Sequence, residues 1–389
     1  MTAPTLRLGV NLGCWAGTND ATGLALASLA ERLGYSAVWI SEAFGSDAVT
    51  LLTWIAAHTS RIDVGSAVLQ IPARAPATTA MTAATLDALS GGRFRLGLGL
   101  GLGVSGPQVS EGWHGVRFTA PLGRTREYIR LVRQALSRTP LAYRGRHFTL
   151  PLPDGPGKAL TLSIRPPRDH LPVYLAALGP RNLELAGEIA DGWLPVFFSP
   201  EHSGGQLEAL RTGLARAGRS LDGFDIAPTV PLVTGPDWRT CARRVRGYAA
   251  LYLGGMGGHD DNHYTLLAER MGFGPQARVV QERFLAGDYP GAMAAVPLEF
   301  LDATSLLGPR ERIAERMAQF ARAGATTLNV MPVGPGMPGP ERAEKPLRTA
   351  VEAARLTGLF VPGPGAAPDE TPGPTGPSRP HEENHYDHA

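Results

Sequence analysis

Three short stretches set reactive or ligand-binding side chains where an apolar run gives way to a loop. Ser41-Glu42-Ala43-Phe44 follows the run Ser36 to Ile40, so Glu42 stands at a strand-like end. A carboxylate there can accept a hydrogen bond from a ring N–H or carry a proton, or it can serve as a helix cap or ordinary loop acid. Ala176-Ala177-Leu178-Gly179-Pro180-Arg181 leads into a helix-like stretch. Its free N–H groups and Arg181 suit a phosphate; a plain strand-to-helix turn with a surface arginine is the alternative. SEGWHG places Trp113 and His114 near a glutamate, and His114 is either a proton carrier or a structural residue. No Ser/His/Asp triad can be assembled from the strand ends.

The stretch from Gly91 to Gln108, GGRFRLGLGLGLGVSGPQ, contains a literal GxGxxG from Gly101 to Gly106. A dinucleotide fingerprint needs a strand before it, a helix opening inside it and an acid about 20 residues on, at a second strand end. Pro107, Gly112 and Gly115 leave no room for a long helix, and the acid's position falls in a helix that holds Arg124 and Glu127. The fingerprint fails. Leu and Gly instead alternate from Leu96 to Gly103 with the period of a strand. In a barrel the leucines would meet the helix layer and the glycines would face inward. That bare face admits a close backbone approach, or large side chains from neighbouring strands. Chemistry would then sit at the strand's carboxyl end, Val104 to Gln108. Gly65, Ser66 and Ala67 in VGSAVLQIPAR mark a bulge or close approach in the same way.

Positioning these stretches requires a scaffold, and the chain carries a strand–turn–helix rhythm. Apolar runs at 6–12, 36–40, 62–71, 94–104, 173–177, 192–197, 224–233 and 326–331 read as strands. Helical spacing separates them, as at 76–89, which opens on a proline, and at the strongly amphipathic 121–137. Eight alternating units predict an α/β fold, a TIM (β/α)8 barrel with insertions after strands 4 and 7; an open doubly wound sheet is the alternative. The domain is expected over 1–362, with the insertions at 138–170 and 254–308. The Pro/Gly-rich tail 363–389 lacks apolar periodicity and is expected to be disordered.

Of the 389 residues, 43% are hydrophobic and 19% charged, so a large core is available. A net charge of +2 gives no case for nucleic acid or an anionic membrane as partner. Apolar runs stop short of the ~18 residues of a membrane span, and no signal peptide is evident. Cys14 and Cys241 alone cannot make a disulfide framework or a thiolate metal site, which suits a cytoplasmic setting. HDDNH at 259–263 lacks a metal spacing, and no metal is expected.

Taken together, SEAFGSDA, VGSAVLQIPARAPATTAMTAATLDALSGGRF, LGVSGPQVSEGWHGV and ALGPRNLELAGEIADGWLP occur in order. The set resembles the luciferase-like monooxygenase superfamily, in particular its branch of coenzyme F420 (deazaflavin)-dependent oxidoreductases, over about residues 6–360. The resemblance implies a TIM barrel with the deazaflavin across the carboxyl ends of the strands. It implies Glu42 near the deazaflavin ring and a non-prolyl cis bulge at Ala67-Val68 against the ring face. It sets Ser105, Gly106 and Gln108 beside the cofactor, and Ala177, Leu178, Gly179, Pro180 and Arg181 in a phosphate-binding turn. The implied chemistry is hydride transfer between the deazaflavin C5 and a C=C, C=N or C=O carbon of a small molecule. FMN-dependent monooxygenation and a non-catalytic cofactor-binding barrel are the alternatives. Glu42 and His114 are the catalytic candidates, Trp15, Phe44, Trp113 and Phe197 the substrate-pocket candidates, and a homodimer is implied.

The chain departs from the pattern twice. Ala43 stands where luciferase-type flavin enzymes have a histidine, which counts against oxygenation. Relatives read roughly GGRFxLGLGVSGPQ, so this chain carries about four extra residues, one more Gly-Leu-Gly-Leu. An even insertion preserves the two faces of a strand, yet the added length must bulge somewhere.

Overall fold

The structure is a computed structural model that describes residues 4–13, 21–100, 106–260, 262–333 and 340–364. Trp15, Ser105, the end of the Leu-Gly run at 101–105 and the tail from 365 lie outside the described residues.

Strands β1 (Arg7–Asn11), β2 (Ala37–Ile40) and β3 (Asp63–Ser66) alternate with helices α1 (Ala21–Arg32) and α2 (Ala48–His58). Next come β4 (Leu69–Gln70), α3 (Pro76–Leu89), β5 (Phe94–Gly99) and α4 (Pro121–Leu136). Residues 138–170 contain an antiparallel pair, β6 (Tyr143–Arg144) and β7 (Thr149–Leu150). The rhythm resumes with β8 (Val173–Leu175), α5 (Pro180–Ile189), β9 (Gly192–Trp193) and α6 (Gly204–Arg216). β10 (Asp225–Ile226), β11 (Thr229–Thr234) and α7 (Trp238–Ala250) follow. Residues 254–308 hold α8 (His263–Arg270), α9 (Gly274–Leu285), α10 (Tyr289–Ala295), α11 (Leu298–Ala303) and β12 (Leu306–Gly308). α12 (Arg310–Arg322), β13 (Thr327–Pro332) and α13 (Pro340–Leu356) complete the described elements.

Helix starts follow local chemistry. Asp47 and Asp237 accept N–H groups in the first turns of α2 and α7, while α3, α4 and α5 open on proline.

Parallel pairing runs from β13 through β1, β2, β3, β5, β8 and β9 to β10. Closure depends on residues 225–234, one strand interrupted at Pro228. On one side the Ala227 and Thr229 N–H groups donate to the Trp193 and Pro195 carbonyls. On the other, the Ile226 and Pro228 carbonyls accept from Thr326 and Asn329, and β11 pairs with β13. The described strands therefore close into the barrel the alternation predicts, not an open sheet.

Leu96 and Leu98 of β5 are fully buried in the core between strands and helices. A separate inner core fills the barrel with Trp39, Val68, Tyr174 and Leu194, and the Trp39 and Tyr174 rings meet edge to face at 5.2 Å. Glycines make room for it. A side-chain carbon on Gly65 would lie 2.4 Å from the Trp39 ring, and one on Gly97 1.9 Å from the Ser66 carbonyl oxygen. Among the described residues, the space beside the inward glycines is thus filled by protein groups.

Strand starts close the opposite end with buried charge. Asp225 takes Arg7 at 3.1 Å, Arg95 at 3.3 Å, the Tyr174 hydroxyl at 2.9 Å and the Thr327 hydroxyl at 2.9 Å. Arg95 also binds Asp63 at 2.6 Å. Burial opposes ionisation of Asp225, but Arg7 and Arg95 with the hydroxyl donors outweigh it and hold the carboxyl below its ordinary range.

Two outcomes follow for stability. Arg95→Ala takes the cation from Asp63 and leaves Asp225 with Arg7 alone, and should cost about 3–5 kcal/mol in urea unfolding. Because the folded pKa of Asp225 is depressed, its contribution is complete above about pH 4 and is lost as pH falls through the folded value, so wild type and Arg95→Ala should converge in acid. Gly97→Ala forces backbone to move and should lower stability by about 1–3 kcal/mol in the same assay.

Candidate active site

The site begins with a mismatch between β3 and β5. Gly65 lies opposite Arg95, yet Leu69 lies opposite Leu98, so the first strand spends one residue more than the second. This is a β-bulge, and the Ala67-Val68 peptide within it is cis, as the resemblance implies. Ser66 bridges the gap: its hydroxyl donates to the Gly97 carbonyl at 2.8 Å and accepts the Gly97 N–H at 2.9 Å. One extra residue reverses which side chains face inward. Val64 and Leu69 both join the outer core, although five positions apart they would lie on opposite faces of a regular strand. Val68 consequently joins the inner core, and Gln70 is placed on that same side.

Gln70 is buried and carries three directed contacts. Its backbone N–H donates to Glu42 Oε2 at 3.3 Å and its amide Nε2 donates to the Glu42 carbonyl at 3.1 Å. Its Oε1 meets His114 Nε2. Glu42 is itself buried, and Arg74 binds both carboxylate oxygens, with Nη2 to Oε1 at 2.8 Å. The Ala48 N–H adds a contact at 3.4 Å, and Arg74 reaches Asp47 at 2.8 Å. Glu42 therefore works within the chain as an anchor for Arg74 and Gln70. Its hydrogen bond to Arg74 raises the guanidinium pKa, with burial opposing. Burial lowers the His114 pKa; Glu42 acts against this and Arg74 with it.

His114 follows a π-helical turn, Gln108–Trp113, and its N–H closes onto the Val109 carbonyl at 3.1 Å. Such wide turns often mark functional positions. The turn exposes Trp113 at 65%, where its ring meets that of Phe44, 62% exposed, edge to face at 6.5 Å. A large aromatic pair left open to solvent beside a buried polar cluster suits a flat apolar ligand. Gln108 is exposed at the start of the turn. Gly106 packs beneath Phe118: a side-chain carbon there would lie 2.3 Å from that ring.

Ala177 is buried, and its carbonyl accepts from the Trp193 indole at 2.9 Å, so it ties β8 to β9. Leu178 packs against the core under residues 251–308. Gly179 precedes α5, and a side-chain carbon on it would meet nothing within 4 Å. Space is thus open at Gly179 beside exposed Arg181, which admits an anion held by that side chain, whereas Pro180 has no N–H and the Asn182 and Leu183 N–H groups close onto the Gly179 carbonyl.

Phe197 requires a correction. Only 2% exposed, it is enclosed by Tyr248, Tyr252, Tyr264 and Phe300 and belongs to the core of the 251–308 segment, with no open face for a substrate. The structure brings together Glu42, Ala67, Val68 and His114, with Phe44 and Trp113 alongside. Gln70 and Arg74, which the sequence reading does not single out, connect them. Their signals are a glutamine inside the apolar run VLQI and an arginine four residues later, a partner for the strand-end acid.

Residues 13–327 match the family model described as luciferase-like monooxygenase. A Mycobacterium tuberculosis protein, whose name of coenzyme F420-dependent oxidoreductase is itself provisional, is 41% identical over 332 residues, covering 84% of this chain and 94% of that one. A 5,10-methylenetetrahydromethanopterin reductase from Archaeoglobus fulgidus is 29% identical over 314 residues, 79% of this chain and 88% of its own. The solved coenzyme F420-dependent tetrahydromethanopterin reductase of Methanopyrus kandleri superposes with a TM-score of 0.75, covering 90% of this chain and 98% of that one at 24% identity, a likeness of fold. With a family match that runs through the barrel and both halves of the site, the chain belongs to the luciferase-like monooxygenase family.

Proposed function

We propose that the protein is a coenzyme F420-dependent oxidoreductase that transfers a hydride between the deazaflavin C5 and a C=C, C=N or C=O carbon of a small organic molecule. The observation that carries this reading is the 41% identity, over 84% of the chain, to a relative named for that cofactor.

The residues present fit such a group. The open space at Gly179 and the Arg181 side chain can hold its phosphate. The bulge at Ala67 and Val68 and the Phe44–Trp113 pair can hold its ring and the substrate. When bound, the deazaflavin supplies the two-electron hydride chemistry, and the protein supplies orientation and a proton. His114 carries the proton: half-buried, it is bonded on one nitrogen to Gln70, which leaves the other nitrogen for substrate. Burial favours its neutral form, which can accept a proton near neutral pH or, once protonated, give it up readily. Glu42 and Arg74 act through Gln70 and are positioning residues. Phe44 and Trp113 offer the apolar surface against which a bound ring would shed water.

Titration of the full-length chain with coenzyme F420 should change the cofactor's fluorescence with low-micromolar affinity, whereas FMN should bind more weakly. Equal or tighter FMN binding with oxygen-dependent turnover would move the protein to the flavin monooxygenases, and binding of neither would leave a non-catalytic barrel. Glu42→Gln removes a buried charged hydrogen bond of about 1.5–3 kcal/mol and should reduce kcat roughly ten- to a hundredfold at saturating cofactor. Unchanged turnover would take Glu42 out of the machinery.

A further inference from the structure

We infer that Gln70 is the positioning residue that sets the protonation pattern of His114, fixing hydrogen on Nε2 and leaving Nδ1 as the atom that exchanges a proton with substrate. The inference rests on His114 as proton carrier and adds the group that decides which nitrogen does the work.

It follows from the direction of each hydrogen bond. The main-chain carbonyl of Glu42 can only accept, so the Gln70 NH₂ group must face it. The amide oxygen then points the other way, at His114 Nε2. An amide oxygen also only accepts, so Nε2 must carry hydrogen in both the neutral and the charged ring. Reversing the amide would set Oε1 against the Glu42 carbonyl oxygen, two acceptors facing each other at a buried side chain. Glu42 is in turn pinned by Arg74 and the Ala48 N–H. Orientation thus passes from Arg74 to Glu42, to Gln70 and to the imidazole.

The charged groups around the ring are accounted for. Glu42, at the end of β2, favours the imidazolium, and Arg74, after β4, opposes it. Asp47, before α2, is committed to Arg74 and Thr50. Glu111, on the turn that bears His114, accepts the Phe118 N–H at 2.9 Å. A change at position 70 therefore reads directly on Nε2.

The test is NMR titration of His114 in the full-length chain, assigned with His114→Asn, in the presence and absence of coenzyme F420. Gln70→Glu puts an anionic acceptor on Nε2–H and should raise the His114 pKa by about one pH unit or more. Gln70→Met keeps the volume but removes the acceptor, and should lower the pKa and abolish slow exchange of the Nε2 proton. The pH limb of kcat in the loaded enzyme should move with the same opposite signs while KM stays nearly constant. Should Gln70→Glu fail to fold beside Glu42, Gln70→Asn, too short to bridge, must lower the titration as Gln70→Met does. Shifts of the same sign in Gln70→Glu and Gln70→Met, or no lowering in Gln70→Met and Gln70→Asn, overturn the assignment to Gln70 while leaving His114 as proton carrier. Opposite shifts with turnover indifferent to His114→Asn uphold Gln70 as the group that sets the tautomer and overturn the proton-carrier reading.

Discussion

The Ser66 carbonyl lies so close to β5 that position 97 has no room for a side-chain carbon. Much of the site depends on that contact. It lets strand three spend an extra residue while Ser66 keeps both hydrogen bonds to Gly97. The extra residue turns Gln70 inward, and Gln70 joins Glu42 to His114. Packing inside the barrel and the polar contacts that join Glu42, Gln70 and His114 at its mouth are therefore linked through one glycine. A larger residue at 97 would disturb the ladder first and the imidazole second.

The two ends of the barrel use charge differently. At the strand starts, Arg7, Arg95, Asp63 and Asp225 pair with one another and with hydroxyls, so the charges compensate each other and close that end. At the strand ends, Arg74 and Glu42 form an equally intimate pair, but the chain of bonds leaving it ends on a half-buried imidazole beside two exposed aromatic rings. Buried ion pairs add little net stability over apolar packing, so their value lies in fixing geometry. At one end that geometry closes the barrel; at the other it aims a titratable group.

The sequence made the architecture legible because periodicity is a local property. Alternation in LGLGLG marked β5, and its leucines do meet the helix layer. Strand-end motifs drew Glu42 and the turn before α5 to one face, since barrel topology delivers strand ends there, while the Ala67-Val68 bulge came from the family resemblance. The inner glycines admitted two readings, a bound group or neighbouring side chains, and the described glycines of β5 meet Ser66, Leu194 and Val68. Phe197 was misplaced because a strand-end aromatic looks the same whether it lines a cleft or is covered by a distant segment, here residues 248–300.

What the sequence determined by itself was the succession of elements, the family pattern and the chemical types available at each strand end. These follow from residue spacing, capping and turn chemistry over short windows. Only the tertiary structure decided which partner each polar group takes. Glu42 could tune a ring, cap a helix or bind a cation, and it binds Arg74, which lies 32 residues away in the chain. Whether Gln70 faces in or out turns on a single residue of register between β3 and β5, and register is a relation between two strands that neither strand's own sequence contains.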